Sequence, residues 1–168
     1  MVTLKPQIFS SFPMKIFQPI FSGFFFKRVG ATPDLEIAKC SLRERGYNLV
    51  IAREGRIVFA TRQSGVSGFL MAIDRLGKDD LVGSSVADRV VGRAAAMLCL
   101  YCAVEAVHAV ILSEGGKELL EKNGVQFQFE SLVPNILNRQ KTGTCPFEQM
   151  VSSISNVEEA YEKLKSCN

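Results

Sequence analysis

The stretch "NLVIAREGRIVFAT", Asn48 to Thr61, holds two β-rich runs separated only by Glu54 and Gly55. Two such runs joined by two residues, the second a glycine, predict a tight antiparallel hairpin, because that turn needs left-handed backbone that glycine adopts without steric cost. Upstream, Thr32 fits an N-cap, Pro33 the first helical position, Asp34 and Glu36 the positive end, and Gly46 a stop after Arg45, so a helix precedes the hairpin. Downstream, Ser64 to Gly68 reads as a loop and "FLMAIDRL" as a short helix ended by Gly77. Ser85-x-x-Asp88 reads as a capping box that opens a long helix from about Val86 to Ala103. "AVHAVILS" then reads as a buried strand, Glu114 to Asn123 as a helix closed by Gly124, and "VQFQF" as an alternating strand. Pro134 argues against a long element in "SLVPNILNRQKTG". Two helices end the chain, from Pro146 to about Ile154 and from Val157 to about Ser166, the second opened by Asn156-x-x-Glu159. A helix, a hairpin, then alternating helices and strands predict an α/β fold, a three-layer α/β/α sandwich with a mixed sheet covered on both faces. The hairpin supplies its antiparallel pair, and the later β-α-β crossover is expected to be parallel and right-handed.

With 168 residues, 47% of them apolar, the chain can build one full hydrophobic core and not two. We expect a single domain over residues 34–168 behind a Phe-rich basic leader, residues 1–33, that is loosely ordered. That leader carries seven of the twelve phenylalanines, with Lys5, Lys15, Lys27 and Arg28 and no acid. Its apolar run from Ile16 to Phe26, broken by Gln18 and Pro19, is too short to span a bilayer. Lys27 and Arg28 between that run and the small residues Gly30 and Ala31 argue against a signal peptide. A start assigned too early, with Met14 available, a tail, and a peripheral membrane contact are the remaining readings. Beyond the leader, 16 bases face 17 acids, a balance that gives no electrostatic case for nucleic acid. Five unpatterned cysteines read as reduced thiols in a cytoplasm. His108 is the one histidine, so His-based metal sites have almost no ligands to draw on, and no metal or cofactor is expected.

The order helix, hairpin, helix, strand, helix, strand resembles the cytidine deaminase-like fold. More closely, "SSVADRVVGRAAAMLCLYCAVEAVHAVILSE" with "LVPNILNRQKTGTCPFEQMV" resembles an uncharacterised bacterial domain-of-unknown-function family with that fold, over about Leu35 to Ile154. The resemblance implies helix starts where catalytic deaminases carry H-x-E and P-C-x-x-C to hold zinc and activate water. Here those starts read "SSVADRVVG" and "SEGGKE", without a His or Cys ligand, so zinc chemistry is expected to be missing.

Several residues could still form a site. Cys99-Leu-Tyr-Cys102 is a C-x-x-C near a helix C-terminus, where the dipole opposes thiolate formation, so both read as core cysteines. His108 reads as a hydrogen-bonded core or edge histidine. Arg89 and Arg93, four apart on the long helix, would face one side, a repulsion that an anion at the helix N-terminus would relieve; the plainer alternatives are neutralisation by Asp79, Asp80 or Asp88, or solvation of both. Ser113 opens the next helix as an N-cap, with Gly115 and Gly116 allowing close backbone approach. Cys145 before Pro146 reads as an N-cap whose thiol the dipole activates, while Glu148 opposes ionisation, closes a capping box on the Cys145 N–H, or shuttles a proton. Asn138, Arg139 and Thr144 add polar groups on the preceding loop.

These residues lead us to expect a zinc-free deaminase-fold protein that binds a small anionic or nucleotide-like molecule. Asp88, Arg89 and Arg93 would form one wall, with Arg139, Cys145 and Glu148 on another; Ser113, Asn138 and Thr144 complete the ligand-binding set. In an enzyme, Cys145 would be the nucleophile, with Glu148 or Asp88 as acid or base. The rival class is a non-enzymatic interaction module, a homodimer. A zinc deaminase with displaced ligands is a third reading, and it requires stoichiometric zinc.

Overall fold

The structure, a computed structural model, describes residues 32–167. The leader reading thus falls almost wholly outside the described residues, and Thr32 and Pro33 belong to the first helix instead. That helix, α1 (Pro33–Glu44), starts as its sequence predicts: the Thr32 hydroxyl accepts the Leu35 N–H at 3.1 Å. β1 (Leu49–Arg53) and β2 (Arg56–Thr61) form the hairpin. Glu54 (φ 54°) and Gly55 (φ 77°) turn left-handed at its tip, where both N–H groups donate to the Asp34 carboxylate at 2.9 and 2.7 Å. Asp34 therefore pins the turn to α1.

α2 (Val66–Leu76) and a single 3₁₀ turn at Asp79–Leu81 lead into β3 (Ser85–Val91). Here the sequence reading fails. The long helix expected from Val86 to Ala103 is a strand followed by α3 (Arg93–Tyr101), and Ser85-x-x-Asp88 is not a capping box. β3 lies between β1 and β4 at the centre of the sheet and is buried on both faces through its first four residues, so its sequence shows no alternation from which a strand could be read. Gly92, inside the expected helix, marked the break: it is the N-cap of α3.

β4 (Ala106–Ser113), α4 (Glu114–Lys122) and β5 (Gln126–Val133) follow closely as predicted. α5 (Pro146–Met150) is shorter than the helix expected to reach Ile154, and α6 (Val157–Lys165) ends the fold, capped by the Asn156 side chain on the Glu159 N–H at 2.9 Å. The sheet order is β2-β1-β3-β4-β5, with β1 antiparallel to both neighbours and β3, β4 and β5 mutually parallel. Successive β1 residues point to opposite faces. Val50 and Ala52 join Ala38 and Leu42 of α1, whereas Leu49 and Ile51 join the larger core formed with α2, α3 and α6. The result is a five-stranded mixed sheet flanked by helices. Among the described residues no helix is long and apolar enough to cross a membrane.

Candidate functional site

The N-terminus of α3 holds an anion that the chain itself supplies. Gly92 has no side chain to cap the helix, and the Glu148 carboxylate takes that place: Oε2 accepts the Arg93 N–H and Oε1 the Ala94 N–H, both at 2.9 Å. A Cβ on Gly92 would overlap this carboxylate. α4 starts alongside, its Gly116 so close that a Cβ would lie 3.0 Å from the Gly92 carbonyl carbon. Ser113 caps α4 as expected, its hydroxyl accepting the Gly116 N–H at 3.1 Å.

Glu148 therefore does not bond back to Cys145. Cys145 is the N-cap of α5 by backbone geometry, but its side chain caps nothing, and its N–H donates to the Ile136 carbonyl at 2.8 Å. The two arginines, expected on one helix face, are separated by the end of β3. Arg89, on the strand, donates from Nε to the Tyr47 carbonyl at 3.0 Å. Arg93, the first residue of α3, donates from Nε to the Val151 carbonyl and from Nη2 to the Ile154 carbonyl, each at 3.0 Å. These two guanidinium bonds hold the C-terminal segment to α3.

Asp88 is 5% exposed, on central β3, and has no ion-pair partner among the described residues. Its Oδ1 accepts the Val90 N–H at 3.0 Å. Burial pushes its carboxyl up to about 7, against the opposing pull of the Val90 and Arg89 N–H groups. Burial also raises Cys99, with Cys102 and Asp88 adding to it, and pushes Cys102 up to about 12. Both thiols are buried and stay protonated, which suits core cysteines and not a redox pair.

His108 is buried as expected, yet neither ring nitrogen makes a hydrogen bond. Nε2 lies 3.4 Å from the Glu130 Oε1, an electrostatic contact that lacks hydrogen-bond geometry. Burial holds the imidazole below its ordinary value, helped by Lys39 and Arg43 and opposed by Glu130. Among the described residues no group of three or more His, Cys, Asp or Glu is placed to hold a metal. Of the two segments expected to open helices, "SEGGKE" does open α4, whereas "SSVADRVVG" is β3 running to Gly92, the N-cap of α3.

The remaining predicted residues meet elsewhere. An open groove of about 750 Å³ lies where the C-terminal ends of β3, β4 and β5 meet the loop that follows β5. The strands contribute Val90, Ile111 and Val133, and the loop Pro134, Ile136 and Leu137, so most of its lining is apolar. Asn135, Asn138, Arg139 and Lys141 add polar and cationic groups. Asn138 organises the loop, its Oδ1 accepting the Thr142 N–H at 2.9 Å and its Nδ2 donating to the Thr142 hydroxyl at 3.0 Å. Thr144 bridges to Leu137 across the loop. Lys141 has left-handed backbone (φ 58°), which costs a residue with a Cβ roughly 1 kcal/mol or more. Neither Arg139 nor Lys141 has a carboxylate partner among the described residues. A second concavity, about 510 Å³ beside the hairpin, is lined by Arg53, Arg56 and Asp80 with little apolar surface. Sequence reading placed Asn138 and Arg139 on this loop but missed Ile111, Val133, Leu137 and Lys141; the exposure of Ile111 and Leu137 is the signal that finds them.

No curated protein matches the chain. Among solved structures, a DUF1893 family protein (TM1506) from Thermotoga maritima shares its fold, with a TM-score of 0.74 and 24% sequence identity over 93% of this chain and 99% of that one. The family model "TM1506: Domain of unknown function (DUF1893)" matches residues 37–167, and the chain belongs to that family.

Proposed function

We propose that the protein binds a small amphipathic anion, nucleotide-like in having a flat apolar body and a phosphate or carboxylate, in the groove at the ends of β3, β4 and β5. The observation that carries this reading is the pairing of an apolar lining from Val90, Ile111, Val133 and Leu137 with two cations, Arg139 and Lys141, that have no carboxylate partner among the described residues. The location adds support, since open α/β sheets bind ligands beyond the carboxyl ends of their strands. Asn138 fits as the residue that shapes the loop. We also infer a cytidine deaminase-like arrangement. Its support is the observed order helix, hairpin, helix, strand, helix, strand from α1 to β4.

Thermal unfolding with nucleoside monophosphates, inorganic phosphate and uncharged nucleosides tests the reading. Nucleoside monophosphates should raise Tm saturably, by an amount corresponding to about 2.7 kcal/mol at a hundredfold excess over Kd. Inorganic phosphate and nucleosides, each offering half of the recognition, should do so weakly. The R139A/K141A variant should need roughly tenfold or more ligand for the same rise. No saturable rise with any of these anions, or an undiminished one in the variant, would refute the site.

A homodimeric interaction module is the second reading, favoured by β5. It is an edge strand of the sheet with Phe129 and Leu132 each 41% exposed, and edges of this kind pair readily with another chain. A dimer that F129K dissociates, together with no response to nucleotides, would favour it.

A further inference from the structure

The groove's outer side is carried by a strap, residues 134–150, which leaves the sheet after Val133 and rejoins the core at the buried Val151. The strap is internally tied: the Asn138 N–H donates to the Gly143 carbonyl and the Cys145 N–H to the Ile136 carbonyl, both at 2.8 Å, and the Gln149 side chain donates to the Thr144 carbonyl at 3.0 Å. It can thus move as one piece. α5 buries no residue fully, and only Phe147 and Met150 pack partly against the core. Among the described residues, the hydrogen bonds that join the strap to a distant part of the fold are the two that Glu148 accepts from the N-terminus of α3; the Gln149 carbonyl accepts only locally, from the Ser152 N–H and hydroxyl.

We propose that Glu148 is a latch that holds this strap shut, and that unlatching it swings the strap and widens the groove. The gating part rests on the binding reading above; the latch itself does not. Its strength comes from a carboxylate that takes two N–H groups at the positive end of a nine-residue helix, a charge-assisted pair. Its geometry is permitted by Gly92: any side chain there would occupy the space of the carboxylate and displace the flexible glutamate.

Gly92→Ala therefore unlatches the strap without removing the charge, and Glu148→Ala unlatches it by removing the carboxylate. Cys145 lies on the strap and is half-buried, while the buried Cys99 and Cys102 report global unfolding. In native protein, each variant should speed Cys145 alkylation roughly tenfold or more while Cys99 and Cys102 stay unreactive. Because Gly92→Ala has no carboxylate to displace once Glu148 is alanine, the double variant should react no faster than Glu148→Ala. Glu148→Gln, which keeps the shape and one acceptor, should lie between, and serves if either alanine variant fails to fold. Unchanged Cys145 rates, additive acceleration in the double variant, or parallel labelling of Cys99 and Cys102 would each overturn the latch. Nucleotide affinity on the same proteins separates the two readings: absent in wild type, it removes the groove as a site while labelling still decides the latch. Present in wild type and equal in the unlatched variants, it removes gating.

Discussion

Replacing Asp88 by asparagine should stabilise the protein by about 2–4 kcal/mol above pH 7 and by almost nothing near pH 3.5. The carboxyl is buried on central β3, raised to about 7, and has no ion-pair partner among the described residues. In the unfolded chain it ionises near pH 4. Between those two values the folded state binds the extra proton, so stability falls as pH rises, and the full cost is present once both states are ionised. Asparagine keeps an oxygen for the Val90 N–H and removes the charge. Its new amide N–H groups need partners in a buried setting, which is why the expected gain is less than the whole cost of ionisation. For a chain of this length the gain at pH 8 corresponds to a rise in Tm of roughly 10 °C. His108 titrates with the opposite consequence. Its folded value is depressed, so as pH drops through about 6.5 the unfolded chain takes up a proton that the folded imidazole resists, and stability is lost toward acid. The groups facing it are Lys39 and Arg43 from α1 and Glu130 from β5. In wild type the Asp88 slope masks this loss; D88N should uncover it, and adding H108Q should flatten the profile. Denaturation at pH 3.5, 5 and 8 checks both. An equal effect of D88N at all three values would mean that Asp88 is not buried as a titrating group.

Elements whose ends carry local chemistry were legible in the sequence. Thr32, Gly55, Ser113 and Asn156 each fix a cap or a turn through their own side chain or backbone, and each does so in the structure. β3 was not legible because its alternation is erased by burial on both faces, and a strand running into a helix through a single glycine reads as one long helix. That one error moved three candidate residues. With Asp88, Arg89 and Arg93 assigned to helical turns, they became one wall of a pocket; on a strand followed by a break, they serve a buried position, a surface contact with Tyr47 and a clasp on the C-terminal segment. The partner of α3 was illegible for a different reason. Glu148 reaches a helix more than fifty residues earlier in the chain, and no local spacing encodes such a contact. The sequence reading put an external anion between two arginines at a helix start near Val86; that segment is a strand, and the N–H groups at the start of α3 are taken by the chain's own Glu148 carboxylate.

Arg93→Ala decides between the two roles that its position allows. The guanidinium donates to the Val151 and Ile154 carbonyls at the turn that delivers the chain to α6, and both of these residues have buried side chains. The Val151 carbonyl has a second donor in the Ile154 N–H, at 3.2 Å, whereas among the described residues the Ile154 carbonyl has Arg93 alone. Truncation removes two charge-assisted bonds and leaves one carbonyl to find water at a partly buried site, a loss of about 2–3 kcal/mol. Lysine carries the charge but cannot span both carbonyls with a planar fork, so Arg93→Lys should recover about half of that loss. A residue kept for a ligand behaves otherwise: its removal would leave unfolding within about 0.5 kcal/mol of wild type and abolish nucleotide stabilisation. Urea unfolding at one pH, with and without nucleotide, separates the two outcomes. The distances favour the clasp, because a guanidinium already committed to two carbonyls would have to release the C-terminal segment before it could receive an external anion.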